Sequence, residues 1–98
     1  MALETFPYDT ADYLTTTDDI FLFLEAELEE NEPPYWPGAI AIVARARGGF
    51  EKLAQETSLP VEYLQRAADE ANTPDRDALI KVMEAYRQRV AAAGSRVA

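Results

Sequence analysis

The sequence predicts an all-α domain, a bundle of about five helices, and three observations lead there. No stretch of the 98 residues alternates apolar and polar side chains at period two for long enough to make a convincing strand. Apolar residues recur instead at helical spacing in one segment after another. Proline and glycine fall between those segments, where they start and stop helices.

Taken in order, the first helix is capped by Thr17 or Asp18, with Asp18 and Asp19 in a first turn where the helix dipole favours anions. Ile20, Phe21, Leu24 and Leu28 form one apolar stripe. Phe23 lies off that stripe, so this helix is either deeply embedded or offers a second face to a partner. Glu32-Pro33-Pro34 ends it and can also start the next, since proline suits a first helical turn. A small-residue helix from Ala39 to Arg47 follows, its regular part delayed by Pro37-Gly38, with Ile40, Val43 and also Ile42 as inward candidates and Arg45 and Arg47 near a C-terminus that favours cations. Gly48-Gly49 stops it. Phe50 to Glu56 forms a short helix on Phe50, Leu53 and Ala54, and Thr57-Ser58-Leu59 turns the chain. Pro60 opens a second short helix to about Asp69, buried through Val61, Leu64 and Ala67 or Ala68. Two short helices across a brief turn, with Ala54 and Leu59 inward, read as a helix-turn-helix. After the loop Asn72-Thr73-Pro74, a last helix from about Asp75 carries Leu79, Val82, Met83, Tyr86 and Val90.

These elements make one domain over 1–98: an acidic N-terminal segment (1–38), a helix-turn-helix core (39–90) and a flexible tail (91–98). A chain this short buries roughly 60–65% of the surface it exposes when unfolded. With no cysteine and no histidine, it has no disulfide framework, no thiolate nucleophile, no imidazole base and neither of the commonest zinc ligands. The Asp-rich stretches lack the glycine and spacing of a calcium loop, so no metal and no cofactor is expected. Adjacent acids such as Asp18/Asp19 or Glu29/Glu30 point in different directions along a helix and have no electrophile-stabilising neighbour, which argues against an enzyme or a small-molecule substrate. The longest apolar run, Ala39 to Ala44, is far too short for a membrane, and residues 1–6 do not read as a secretory signal. A cytoplasmic protein is the expectation.

The net charge of −9 is uneven. Residues 1–38 hold ten of the eighteen acids and no base, whereas residues 39–98 hold eight acids and all nine bases. Such asymmetry bears on partners and steering. It is either a solvated surface or a docking face for a basic partner.

The order and spacing of several short patterns also carry a resemblance over about Tyr8 to Val90. They are Asp12-Tyr13-Leu14 with Asp18-Asp19-Ile20 and Leu24; Val43-Ala44-Arg45-Ala46-Arg47-Gly48; Leu53-Ala54-Gln55-Glu56-Thr57 with Leu59; and Pro74 leading to Leu79-Ile80-Lys81-Val82 and Ala85. On these the chain resembles the addiction-module antidote proteins, small helix-turn-helix antitoxins of the host-inhibition-of-growth type that partner RelE/ParE-like toxins. The resemblance implies a lambda-repressor-like helix-turn-helix bundle with added N-terminal helices. It also implies an antitoxin of a type II toxin-antitoxin module, which neutralises a cognate toxin and represses its own operon.

The chain departs from the family pattern in ways that bear on DNA. Ser58 stands where the family has its turn glycine, and a second glycine precedes the first helix of the motif. Pro60-Val61-Glu62 replaces the Ser-Arg-Glu that opens the recognition helix, removing a hydroxyl and a guanidinium from the tip that would enter the major groove. Gln65 replaces a tyrosine, Arg76 an aromatic, and Arg87 a terminal glycine, which predicts a longer last helix. The DNA-reading candidates are then Gln55, Tyr63, Gln65 and Arg66, with Arg45, Arg47 and Lys52 as phosphate contacts on an operator bound as a homodimer. The toxin-binding candidates are aromatics of the acidic segment: Tyr13, Phe21, Phe23, Tyr35 and Trp36, with Phe6 and Tyr8 beside them. Two readings stay open: an antitoxin that keeps DNA binding, or a divergent helix-turn-helix protein that has lost it and serves as an interaction or dimerisation module.

Overall fold

A computed structural model of the chain describes the backbone of residues 10–97 and the side chains of residues 10–92. Phe6 and Tyr8 lie outside the described residues. Five α-helices and two 3-10 turns form a helical bundle, with no strand among the described residues. The helices are α1 (Thr17–Glu30), α2 (Trp36–Ala46), α3 (Phe50–Thr57), α4 (Val61–Ala67) and α5 (Arg76–Val97). The all-α expectation holds.

Of the three adjacent threonines, Thr16 caps α1, one residue before the earlier of the two expected caps, Thr17 and Asp18. Its hydroxyl accepts the Asp19 N–H at 3.1 Å, and the Asp19 carboxylate returns to the Thr16 N–H at 3.2 Å, a reciprocal capping box. Asp19 also accepts the Thr15 N–H at 3.1 Å, and that bond chiefly holds its carboxyl below the usual range. The helix ends on Asn31 in the left-handed conformation (φ 53°), its N–H bonded to the Glu27 carbonyl.

Pro33–Tyr35 is a 3-10 turn, and α2 begins directly after it, at Trp36 rather than Ala39. Pro37 does not delay the helix, because a residue in the first turn has no intrahelical acceptor for its N–H. The end of α2 is a Schellman motif: the Gly48 N–H bonds the Arg45 carbonyl and the Gly49 N–H the Ala44 carbonyl. Gly48 (φ 96°) and Gly49 (φ 125°) both adopt backbone conformations that a side chain would strain. Residues 58–60 join α3 to α4, with Ser58 left-handed at φ 62° in the position of the family's turn glycine. The Asp75 carboxylate accepts the Ala78 N–H at the start of α5. That helix continues through 91–97, where a tail was expected, and is the longest element.

The core joins all five helices through Ile20, Leu24, Ile40, Val43, Leu53, Leu64, Leu79, Val82 and Tyr86. Full burial of such side chains contributes about 1.5–3 kcal/mol each before the entropy of ordering them is subtracted. Phe21, Leu28, Ala54, Leu59 and Met83 pack half-buried around it. A network of polar side chains ties three helices together: Arg47 at the end of α2 clasps Glu56 of α3 with two bonds (2.7 and 2.6 Å), and Tyr86 of α5 donates to the same carboxylate at 2.6 Å. The Arg47 bond, then the Tyr86 bond, hold the Glu56 carboxyl down at about 2 against a burial effect that would raise it. Burial, with the Glu56 bond second, pushes the Tyr86 hydroxyl well above its usual range.

Candidate interaction surfaces

Two surfaces carry the residues expected to bind partners. The first is a groove of about 300 Å³ between the end of α1, the 3-10 turn after it, and α2. Phe23 of α1 and Ile42 of α2 line it half-buried, and Tyr35 closes one side while remaining 64% exposed. Glu27, Glu30 and Glu32 line it from the acidic segment. Phe23, Glu27 and Glu30 stand at i, i+4 and i+7, one face of α1. A fourth carboxylate, Glu70, arrives from the loop after α4 and sits over Gly38, where a Cβ would lie 3.4 Å from Glu70 Oε2. Burial, reinforced by Glu30 and Glu32, raises the Glu27 carboxyl above its ordinary value. The groove thus has apolar and aromatic walls with carboxylates among them.

The aromatic candidates divide accordingly. Phe23 and Tyr35 meet in this groove. Phe21 is half-buried against the core, and Tyr13 is 62% exposed on the 3-10 turn Thr10–Tyr13. Trp36 has to be withdrawn as a surface anchor. It is 4% exposed, and its indole Nε1 donates to the Glu27 carbonyl at 3.3 Å, the same carbonyl that accepts the Asn31 N–H. The 3-10 turn swings Trp36 back over the end of α1, so it fastens α1 to α2 from inside. Ile42, expected inward, packs half-buried against the core and lines the groove as well; Glu27, Glu30 and Glu32 belong to the expected acidic face but were not singled out, and Glu70 lay outside it. The spacing from Phe23 to Glu27 and Glu30 could have revealed two of them; Glu70 left no local signal.

The second surface is the outer side of α3 and α4. Lys52 and Gln55 of α3 and Gln65 and Arg66 of α4 are exposed, and so is Arg45 in the last turn of α2. Arg47 does not join them, because its guanidinium is held by Glu56 and its side chain is only 21% exposed. Its charge is stabilised first by that bond, which raises its pKa. Tyr63 is half-buried beneath Lys81, whose Nζ lies 5.3 Å above the ring, so a ring contact occupies the face a base would need. Glu62 is also exposed on α4, at i and i+3 to Gln65 and i+4 to Arg66, which sets a negative charge among the candidate readers. The Pro60 cap of α4 has no side-chain hydrogen bond, as its sequence requires.

Among the described residues no cluster of carboxylates could hold a metal ion, and no helix is long and apolar enough to cross a membrane.

Comparison with known proteins agrees with the pattern of residues. Residues 4–93 match the family model described as "Probable addiction module antidote protein". An uncharacterised protein of Haemophilus influenzae is 29% identical over 91 residues, which covers 93% of each chain. No solved structure matches.

Proposed function

The chain belongs to the addiction-module antidote proteins, and from that premise we propose that it neutralises a basic toxin through its acidic N-terminal half. One observation carries this reading. Residues 1–38 hold ten acids and no base, and the eight acids among the described residues lie in α1 and the turns beside it, next to the aromatic side chains of the groove. A toxin that acts on ribosome-bound RNA needs a positive surface to reach its substrate. A complementary anionic face both speeds encounter with such a surface and covers it. The action is binding and not catalysis, in keeping with a sequence that has neither the imidazole nor the thiol on which most hydrolytic chemistry relies.

The test is growth. The gene should have a neighbour that encodes a small basic protein; expressing that protein should arrest a bacterial culture and co-expression of this chain should restore it, whereas an isolated gene would count against the reading. Arrest without rescue refutes the reading.

A second activity, repression of the operon, is favoured by the exposed Gln55, Gln65, Arg66 and Lys52 across the α3–α4 unit. Glutamine can read adenine through paired hydrogen bonds and arginine can read guanine. Two copies on a palindromic site would double these few contacts. A gel-shift titration with the gene's own upstream DNA at low salt should give a specific complex. Replacing Gln65 and Arg66 with alanine should abolish it, since each good base contact is worth about 1–3 kcal/mol. No specific shift near micromolar protein would leave the α3–α4 unit as a scaffold, and a shift that survives both substitutions would put the reading face elsewhere.

A further inference from the structure

We propose that the groove between α1 and α2 receives an arginine side chain from an apolar segment of the basic partner, flat against the ring of Tyr35 or Phe23 and paired with the glutamates around it. The inference rests on the antidote reading and names what that surface recognises. Phe23, Ile42 and Tyr35 give the groove its apolar walls. Glu27, Glu30, Glu32 and Glu70 give it a charge that an incoming cation would neutralise. These glutamates come from two parts of the chain, and the Glu27 carboxyl is raised first by its own burial and then by Glu30 and Glu32 beside it. A guanidinium suits this combination better than an ammonium. It is planar, stacks on aromatic faces, is weakly hydrated and can bond two carboxylates at once. Charge also separates this occupant from the nearest alternative. Residues 1–9 lead into Thr10 at the groove and offer Phe6 and Tyr8, but they carry Glu4 and Asp9 and no base, so they would add anions to anions.

The experiment is an NMR titration of the full isotope-labelled chain with acetyl-Leu-Arg-Leu-amide, and with the same peptide bearing lysine or citrulline. Saturable shifts of the Gly38, Ile42 and Glu70 amides are expected with the arginine peptide, weaker ones with lysine and none with citrulline. The double variant Glu30→Gln/Glu70→Gln should weaken binding about tenfold, whereas Glu25→Gln/Glu29→Gln, equal in net charge but off the groove, should change it less than twofold. Equal weakening by both pairs would reduce the effect to general attraction and overturn the proposal. So would a lysine peptide that binds as well, or an arginine peptide that binds without shifting the groove. Binding seen only after residues 1–9 are deleted, or concentration-dependent shifts at the groove without peptide, would assign it to the chain's own N-terminus or to a second copy. The growth assay is independent. Rescue with no peptide binding defeats the groove assignment alone, and peptide binding with no rescue defeats the antitoxin reading alone.

Discussion

Replacing Glu56 with glutamine should show how far the packing of α2, α3 and α5 depends on one carboxylate. Glu56 accepts two bonds from Arg47 and one from Tyr86, and its side chain is 9% exposed. Its carboxyl sits at about 2 in the fold, against 4.5 for an unperturbed glutamate. A lowered pKa in the folded state stabilises the fold above the unfolded value, and the stabilisation is lost as pH falls from there toward the folded value. The difference corresponds to about 3 kcal/mol at pH 7 and about 1 kcal/mol at pH 3. Urea unfolding of the two proteins, followed by circular dichroism at pH 7, 5 and 3, reads this directly. The other carboxylates titrate in both proteins and cancel in the difference. The stability gap between the natural protein and Glu56→Gln should be about 3 kcal/mol at pH 7 and should shrink by more than half at pH 3. A gap that stays constant with pH would show that Glu56 holds the helices by shape and hydrogen bonding and not by charge, and would refute the electrostatic account.

The remaining predictions concern the backbone. Ser58 at φ 62° is strained where glycine is not, so Ser58→Gly should raise stability by about 0.5–1 kcal/mol in the same urea assay, while leaving any DNA shift in place. Thr16→Ala removes one arm of the capping box and should lower stability by about 1 kcal/mol, with exchange of the Asp19 amide accelerated before that of the α1 centre.

Much of the fold was legible because its signals are local. Apolar residues at helical spacing marked every helix, and Gly48-Gly49 marked where, among the described residues, two successive positions of positive φ were needed. The start of α1 was placed one residue late because three adjacent threonines can each cap. Asp19 decides among them, since it reaches back to the Thr16 N–H. Trp36 was misread for a different reason. Between prolines it has no periodic neighbours, and its burial depends on the carbonyl of Glu27, nine residues earlier on another helix. Arg47 fails in the same way: its charge suggested a phosphate, and its partner Glu56 becomes visible only when α3 folds back on α2. For the groove, the sequence placed Phe23 off its helix's main stripe, which is how a half-exposed wall should look. It could not show that Glu70, from the other half of the chain, joins the glutamates of α1.

These placements also alter what the charge of −9 means. Of the bases expected to meet a phosphate, Arg47 is bound to Glu56; outside that set, Arg87 lies 2.9 Å from Glu84, and Arg89 donates to the Glu56 carbonyl. Residues 39–98 are near neutral in sum, but Arg47, Arg87 and Arg89 among their nine bases are engaged within the fold, so fewer cations stand open than the sum implies. The acids are affected unequally. Asp19 closes a helix cap and Glu56 locks a core contact, whereas Glu27, Glu30, Glu32 and Glu70 face a groove. Folding therefore uses up cations that could have met a phosphate, while it gathers carboxylates around an apolar cleft. On the reading proposed above, that imbalance suits a basic protein more than a nucleic acid, and an operator would have to be met by two copies of a weak reading face.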